Sequence, residues 1–126
     1  MEHVFTGVLP HGYQGHVAYS TKLPEGLARL SVTLALDRLE PLHAPPPDAW
    51  DTKNEIHLEA FLSGAFLGGL HAQAAVRTLA WEVGAPAEAA PRGCLPVSSL
   101  CGVLTVQMPV FNVLDGVGYT LRIQGE

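Results

Sequence analysis

Basic residues are scarce in this sequence: Lys and Arg together number seven in 126 residues, against twelve Asp and Glu, and the formal net charge is −5. The seven cations are scattered, so no run of them would neutralise consecutive phosphates. This balance argues against nucleic acid, and equally against an anionic membrane surface, as a partner. Charged residues make up only 15% of the chain and hydrophobic residues 48%, which predicts a globular chain rather than a disordered one.

Uninterrupted hydrophobic segments are also missing. The most apolar stretch, residues 60–81, contains His71, Gln73 and Arg77 as well as glycines, and it is not typical of a membrane span. The first residues carry no basic segment, and Pro10 interrupts the apolar residues that follow. We therefore expect a cytoplasmic protein with no membrane partner.

Cysteine is represented only by Cys94 and Cys101. Their spacing is not that of a Cys-x-x-Cys redox motif, so two reduced thiols are the favoured interpretation. A disulfide between them is the open alternative.

What the sequence does contain is alternation of apolar and polar residues. In residues 27–36, one face of an extended strand carries Leu30, Val32 and Leu34, and the other carries Ser31 and Thr33. A period of two over this length predicts a half-buried β-strand, because successive side chains point to opposite sides of the pleat.

Similar segments recur along the chain, separated by turns rich in Gly and Pro. Residues 63–83 are ambiguous, since their alanines also suit a helix, but alternation across 75–83 favours a strand. Asp115 and Gly116 predict a β-hairpin turn near the end of the chain. The whole pattern predicts an all-β, single-domain antiparallel β-sandwich over residues 1–126, jelly-roll-like, with about seven to nine strands.

The order of these features resembles a known class of bacterial module. The residues that carry the resemblance are the segments 5–9, 23–26, 54–58 and 119–123 together with Tyr19. They look like the small jelly-roll modules that flank bacterial peptidases and phosphoesterases, including the pre-peptidase C-terminal domain family. That resemblance implies a non-catalytic accessory module beside an enzyme. The chain departs from the pattern because it lacks an Asp-x-Asp strand, and we expect no attached catalytic domain.

A long proline-rich loop, residues 41–53, contains one candidate binding site. Trp50 lies beside Asp48, Asp51 and Asn54, which combine a stacking ring with oxygen ligands. This cluster predicts a carbohydrate or small-ligand site. The alternative is that Trp50 packs over the sandwich as a lid and the aspartates are solvated.

The following strand contains a second candidate. Alternation places Glu55, His57 and Glu59 on one strand face, where they would bind a divalent metal, with His11 or His16 contributing from a neighbouring strand. A metal-dependent enzyme is the corresponding function. The alternative is an ordinary exposed polar face.

The expected function follows from the scarcity of catalytic motifs. We expect a non-catalytic protein that acts through binding or self-assembly, with a homo-oligomer as a further expectation because the sheet edges are weakly charged. The Trp50 loop and the strand of His57 provide the two alternatives, a sugar-binding module and a metal enzyme.

Overall fold

The computed structural model describes residues 1–44, 46–48, 53–71 and 74–126. Within these ranges nine strands form two antiparallel sheets. The strands are β1 (Glu2–Leu9), β2 (Gly15–Leu23), β3 (Arg29–Leu36), β4 (Glu55–Ile56), β5 (Leu58–Leu62), β6 (Ala65–Leu70), β7 (Val76–Glu82), β8 (Gly102–Asn112) and β9 (Val117–Gly125), with one short 3-10 turn at Ala87–Ala89. The predicted all-β antiparallel sandwich is confirmed, and so is the strand interpretation of residues 76–82.

The two sheets are built by strands that cross repeatedly from one layer to the other. Sheet A has the order β1-β9-β3-β7, and sheet B has the order β2-β8-β5-β6, with the short β4 also paired to β8. The chain therefore changes sheet at every connection except β4 to β5 and β5 to β6, where three consecutive strands stay in sheet B. This alternation between layers is jelly-roll-like.

The core lies between the sheets and follows the predicted alternation. On β3, Leu30, Val32 and Leu34 are buried, whereas Ser31 and Thr33 face outward. The other core residues alternate in the same way; those with essentially no exposed surface include Leu79, Leu121 and Ile123 from sheet A and Ile56, Leu58, Leu104, Val106 and Met108 from sheet B. Trp81 and Tyr119 are also buried in this core.

The β1 and β2 edges of the two sheets are joined by aromatic side chains. Phe5 of β1 stacks on Tyr19 of β2 with ring centroids 4.3 Å apart, and the hydroxyls of Tyr19 and Tyr119 are 2.5 Å apart. A β-carbon at Gly7 would lie 2.5 Å from the Tyr119 hydroxyl oxygen. Glycine at that position leaves the space in which the two phenols meet.

The opposite side of the sandwich is closed by the segment that follows β7. Gly69 N donates to the Gly93 carbonyl at 2.9 Å, and Leu95 N donates to the Leu67 carbonyl at 3.0 Å. On the other sheet, Ala80 N lies 3.4 Å from the sulfur of Cys94. This segment, residues 85–97, thereby pairs with the free edges of β6 and β7, and we call it the edge-covering segment. Both cysteines are free, as the favoured interpretation predicted.

Two local expectations are corrected by the structure. The Asp115–Gly116 turn does not form a hairpin, because β8 belongs to sheet B and β9 to sheet A, and the turn carries the chain across the sandwich. The predicted strand that carries Glu55, His57 and Glu59 is divided at His57 into β4 and β5, and the pairing of β4 with β8 shifts register between Glu55 and Ile56. β8 itself continues through Pro109 to Asn112. In the described ranges, no helix is long and apolar enough to cross a membrane.

Candidate functional site

The outer face of sheet B carries most of the exposed aromatic side chains of the described chain. Register places its outward residues in rows that run from β6 across β5 and β8 to β2. We call this surface the platform; it comprises Phe66, Phe61, Thr105 and Ser20 in one row, Gly69, Glu59 and Gln107 in the next, and His71, His57 and Phe111 at the far end.

Each end of the platform is aromatic. At one end Phe61 and Phe66 meet edge to face with centroids 5.7 Å apart. At the other end His57 stacks on His71 at 4.6 Å and 15°, and its opposite contact is Phe111 at 4.7 Å. Phe66 is 49% exposed and Phe111 is 50% exposed. Contacts with neighbouring rings hold Phe66 and Phe111 in position, yet about half of each residue is exposed to solvent.

The middle of the platform is polar. Gln107 Nε2 donates to Glu59 Oε2 at 2.9 Å across β8 and β5, and the hydroxyls of Ser20 and Thr105 are 2.9 Å apart across β2 and β8. Cross-strand pairs of this kind fix the side chains in position. Each pair retains unused oxygen lone pairs or N–H groups for a ligand.

The surroundings of His57 favour the neutral form of its imidazole. Burial lowers the pKa of His57 below its usual value of 6.5, and the neighbouring His71 and Arg77 lower it further, while Glu55 and Glu59 act in the opposite direction. The neutral ring makes an uncharged aromatic cluster with His71 and Phe111.

The residues predicted to bind a metal lie where alternation puts them. Glu55, His57 and Glu59 all face outward from sheet B, on the same side as the platform. Glu59 is engaged by Gln107, and His57 by its two ring contacts. In the described ranges no three His, Cys, Asp or Glu side chains are grouped closely enough to hold one metal ion. The metal site stays a prediction.

The two histidines predicted as additional metal ligands lie in different parts of the fold. The ring of His11 contacts the carbonyl oxygen of Leu114, in the β8–β9 connection. His16 lies on β2, where it is paired in register with Pro109 of β8.

Only part of the predicted loop site can be placed. Trp50 and Asp51 lie outside the described residues, and Asp48 is exposed. Asn54 is completely buried, and its Oδ1 accepts a hydrogen bond from Leu114 N at 2.8 Å. In this fold the Asn54 side chain fastens the end of the loop to the β8–β9 connection. The loop site as a whole stays a prediction.

A separate cavity of about 380 Å³ lies between sheet A and residues 85–97. Ser31, Ala80 and Gln124, adjacent in register, form its floor together with Trp81. Its walls are alanines, prolines, Leu95 and Val97 from the segment that covers the sheet edge. Arg29, Glu82 and Glu126 also line the cavity. A concave, largely apolar lining with a few polar groups suits a small molecule better than a polymer.

No protein-family model matches this chain, and no curated protein matches it, so the resemblance to the pre-peptidase C-terminal domain family gains no support. Among solved structures, the chain is similar to PliG of Aeromonas hydrophila, a periplasmic inhibitor of g-type lysozyme, at 10% identity and TM-score 0.48 over 99% of this chain and 86% of that one. It is also similar to the carbohydrate-binding module CBM36, solved with calcium and xylotriose, at 11% identity and TM-score 0.43 over 97% and 88%. A third is TmCBM61, solved with β-1,4-galactotriose, at 10% identity and TM-score 0.43 over 99% and 88%. The function proposed below is drawn from the side chains of this chain alone.

Proposed function

We propose that this β-sandwich is a non-catalytic binding module that holds an oligosaccharide on the platform. The observation that carries the proposal is the combination of half-exposed aromatic rings at both ends of one sheet face with a fixed carboxylate–amide pair between them. Scattered exposed apolar residues are ordinary on protein surfaces, whereas a grouped set rimmed by polar residues marks an interaction surface.

The chemistry of the platform suits a sugar chain. The C–H face of a pyranose ring packs against an aromatic ring, and its hydroxyls need both donors and acceptors. Phe66 and Phe111 provide exposed rings, while Glu59 and Gln107 provide acceptor and donor atoms already held in place. Because these side chains are fixed before binding, little conformational entropy is lost when the ligand arrives.

The platform is long enough for a chain rather than a single sugar. Phe61 and His57 are four residues apart on nearly continuous strands, which separates them by about 13 Å along the strand direction. Glu59 lies between them on the same face. A linear ligand that follows β5 therefore contacts both aromatic ends and the polar middle.

Self-assembly is the competing use of the same surface. An exposed aromatic face of this kind also fits a second copy of the chain. The oligomeric state of the sugar-free protein distinguishes the two uses. If the platform serves self-assembly, the protein is a homodimer even when no sugar is present.

The test combines calorimetry with light scattering. Titration of neutral and acidic oligosaccharides should detect binding, and Phe111→Ala and Phe66→Ala should each weaken it about fivefold, the equivalent of about 1 kcal/mol for one aromatic contact. Val8→Ala is the matched control, since Val8 is 71% exposed on the outer face of sheet A. Trp50→Ala separates the platform from the predicted loop site and should leave the affinity unchanged.

Two outcomes would contradict the proposal. One is an absence of binding across the panel, or an equal loss in the Val8→Ala control. The other is a dimer in light scattering that the same phenylalanine variants convert to a monomer, because that result assigns the platform to self-assembly.

The sheet A cavity supports a second candidate, a small apolar ligand. Its volume of about 380 Å³ falls in the range of small-molecule sites, about 300–1,000 Å³. Ala80→Leu fills the floor and should abolish binding of an environment-sensitive apolar dye while sparing saccharide binding. Unchanged dye binding in that variant would exclude the cavity as the dye's site.

A further inference from the structure

We infer that the saccharide held on the platform carries an anionic group, a carboxylate or a sulfate, and that Arg77 and Arg92 bind this group in a pocket at the end of β6. This inference rests on the proposed function and specifies the class of its ligand.

The pocket opens where the two sheets separate at their β6 and β7 edges. It has a volume of about 400 Å³ and is lined by Gly69 and His71 at the end of β6, Arg77 at the start of β7, and Arg92 and Gly93 from the edge-covering segment. Two of the chain's seven cationic side chains therefore line one pocket, in a chain of net charge −5.

Arg77 is the unusual member of this group. The residue is only 6% exposed, although it shares a strand face with core residues such as Leu79. Its Nη1 donates to the carbonyl oxygens of Ile56 and His71, the latter at 3.3 Å. Its Nε and Nη2 are buried and have no hydrogen-bond partner in the described part of the chain.

The unpaired edge of this guanidinium has the geometry that binds a carboxylate. Nε and Nη2 lie on one side of the planar group, and their parallel N–H bonds match the two oxygens of a carboxylate or sulfate. Both nitrogens are covered in this structure, so binding of an anion there requires the guanidinium to turn toward the pocket that Arg92 also lines.

The charge of Arg77 is also uncompensated. Burial lowers the pKa of Arg77 from its usual value to about 10, and no carboxylate of the described residues contributes to that pKa. The ion pairs formed by the described residues, Arg29–Glu82 and Arg122–Glu2, both lie on sheet A's outer face and do not include it. A buried charge without a partner is costly, so an anion supplied from outside would relieve that cost.

The pocket is continuous with the platform. His71 contributes its carbonyl to Arg77 and its ring to the stack with His57. Gly69 lines the pocket and also lies beside Glu59 and Phe66, whose side-chain carbons are within about 3.5 Å of where its β-carbon would be. One ligand can therefore rest its ring on the platform and place an acidic substituent in the pocket.

The competing interpretation makes Arg77 purely structural. In that case its two carbonyl contacts tie sheet B to β7, and its other nitrogens are unused. The two interpretations differ in what Arg92 does, because Arg92 is exposed and makes no hydrogen bond within the described chain.

The experiment measures the affinity of an uncharged oligogalactan, an oligogalacturonate and a sulfated oligogalactan of equal length. We expect the acidic probes to bind about tenfold more tightly than the uncharged one, and Arg92→Gln to remove that advantage. Arg122→Gln is the matched control, because it makes the same change of net charge on the outer face of sheet A. The better of the two acidic probes identifies the anionic group.

Arg77→Lys adds a test of geometry, since it keeps the charge and removes the bidentate edge. It should lose the preference for acidic probes while binding the uncharged one as before; if it does not fold, the comparison of Arg92→Gln with Arg122→Gln decides alone. Equal affinity for all probes, or equal effects of those two variants, would overturn the inference and leave the platform proposal standing. Binding of no probe, or binding indifferent to Phe111→Ala, would instead refute the proposed function.

Discussion

Replacement of Gly68 by alanine tests how the edge-covering segment is held. Gly68 lies in β6, and a β-carbon there would be 2.7 Å from the carbonyl oxygen of Gly93, 3.2 Å from Trp81 Cζ2 and 3.3 Å from the α-carbon of Cys94. The nearest contact is a backbone atom, so no side-chain rotation relieves it. The segment must move away from β6.

The expected cost follows from what that movement breaks. Overpacking of a tight site costs about 1–3 kcal/mol, and displacement of the segment weakens two backbone hydrogen bonds, Gly69 N to Gly93 and Leu95 N to Leu67, each worth about 1 kcal/mol. The better strand propensity of alanine returns about 0.5–1 kcal/mol. We therefore expect the free energy of unfolding to fall by about 2–4 kcal/mol.

The assay is urea denaturation of Gly68→Ala beside Gly116→Ala. Gly116 is the matched control, because the nearest atom to a β-carbon at that position would be the Leu9 carbonyl oxygen, 3.8 Å away. That variant should remain within about 0.5–1 kcal/mol of the wild type. Equal stability of the two variants would refute the close packing of the edge-covering segment against β6. It would also refute the shape of the pocket lined by Arg77 and Arg92.

Three further results are expected. A thiol-specific reagent should modify exposed Cys101 quickly and Cys94 only after unfolding, since burial raises the pKa of Cys94; two fast thiols in the native protein would contradict this. The lowered pKa of His57 means that the unfolded chain binds more protons below pH 6.5, so stability should fall as the pH drops through that value, and His57→Gln should flatten the dependence; an identical slope in urea titrations would contradict it. Asn54→Ala should cost about 1–2 kcal/mol of unfolding free energy by leaving Leu114 N unpaired, and a loss below about 0.5 kcal/mol would show that the bond is unimportant.

Local patterns in the sequence were enough to predict the faces of individual strands. The alternation around Val32 and Leu34 correctly separates buried from outward side chains, because the period of two is a property of each strand alone. The same reasoning placed Glu59 outward on β5. Alternation across residues 75–83 also puts Arg77 on the same face as Leu79 and Trp81, and this is the signal in the sequence for a buried cation.

The sequence alone does not predict which side chains of different strands come into contact. Phe61 meets Phe66, and His57 meets Phe111, only through the pairing of neighbouring strands, and one residue of slip would turn each strand over. The sequence contains no signal for the position of His71, because its partner, His57, is brought to it only by that pairing. The error at the β8–β9 turn has the same origin, since turn residues do not specify which sheet the next strand joins.

The central claim is that the platform binds a saccharide, and the most direct measurement is a titration of the isotope-labelled protein followed by NMR. Saccharides that bind should shift the backbone amide signals of His57, Glu59, Gln107 and Phe111 in a saturable way, and leave those of Thr33 and Thr120 on the outer face of sheet A unchanged. Saturable shifts confined to sheet A, or no saturable shifts with any saccharide tested, would contradict the claim.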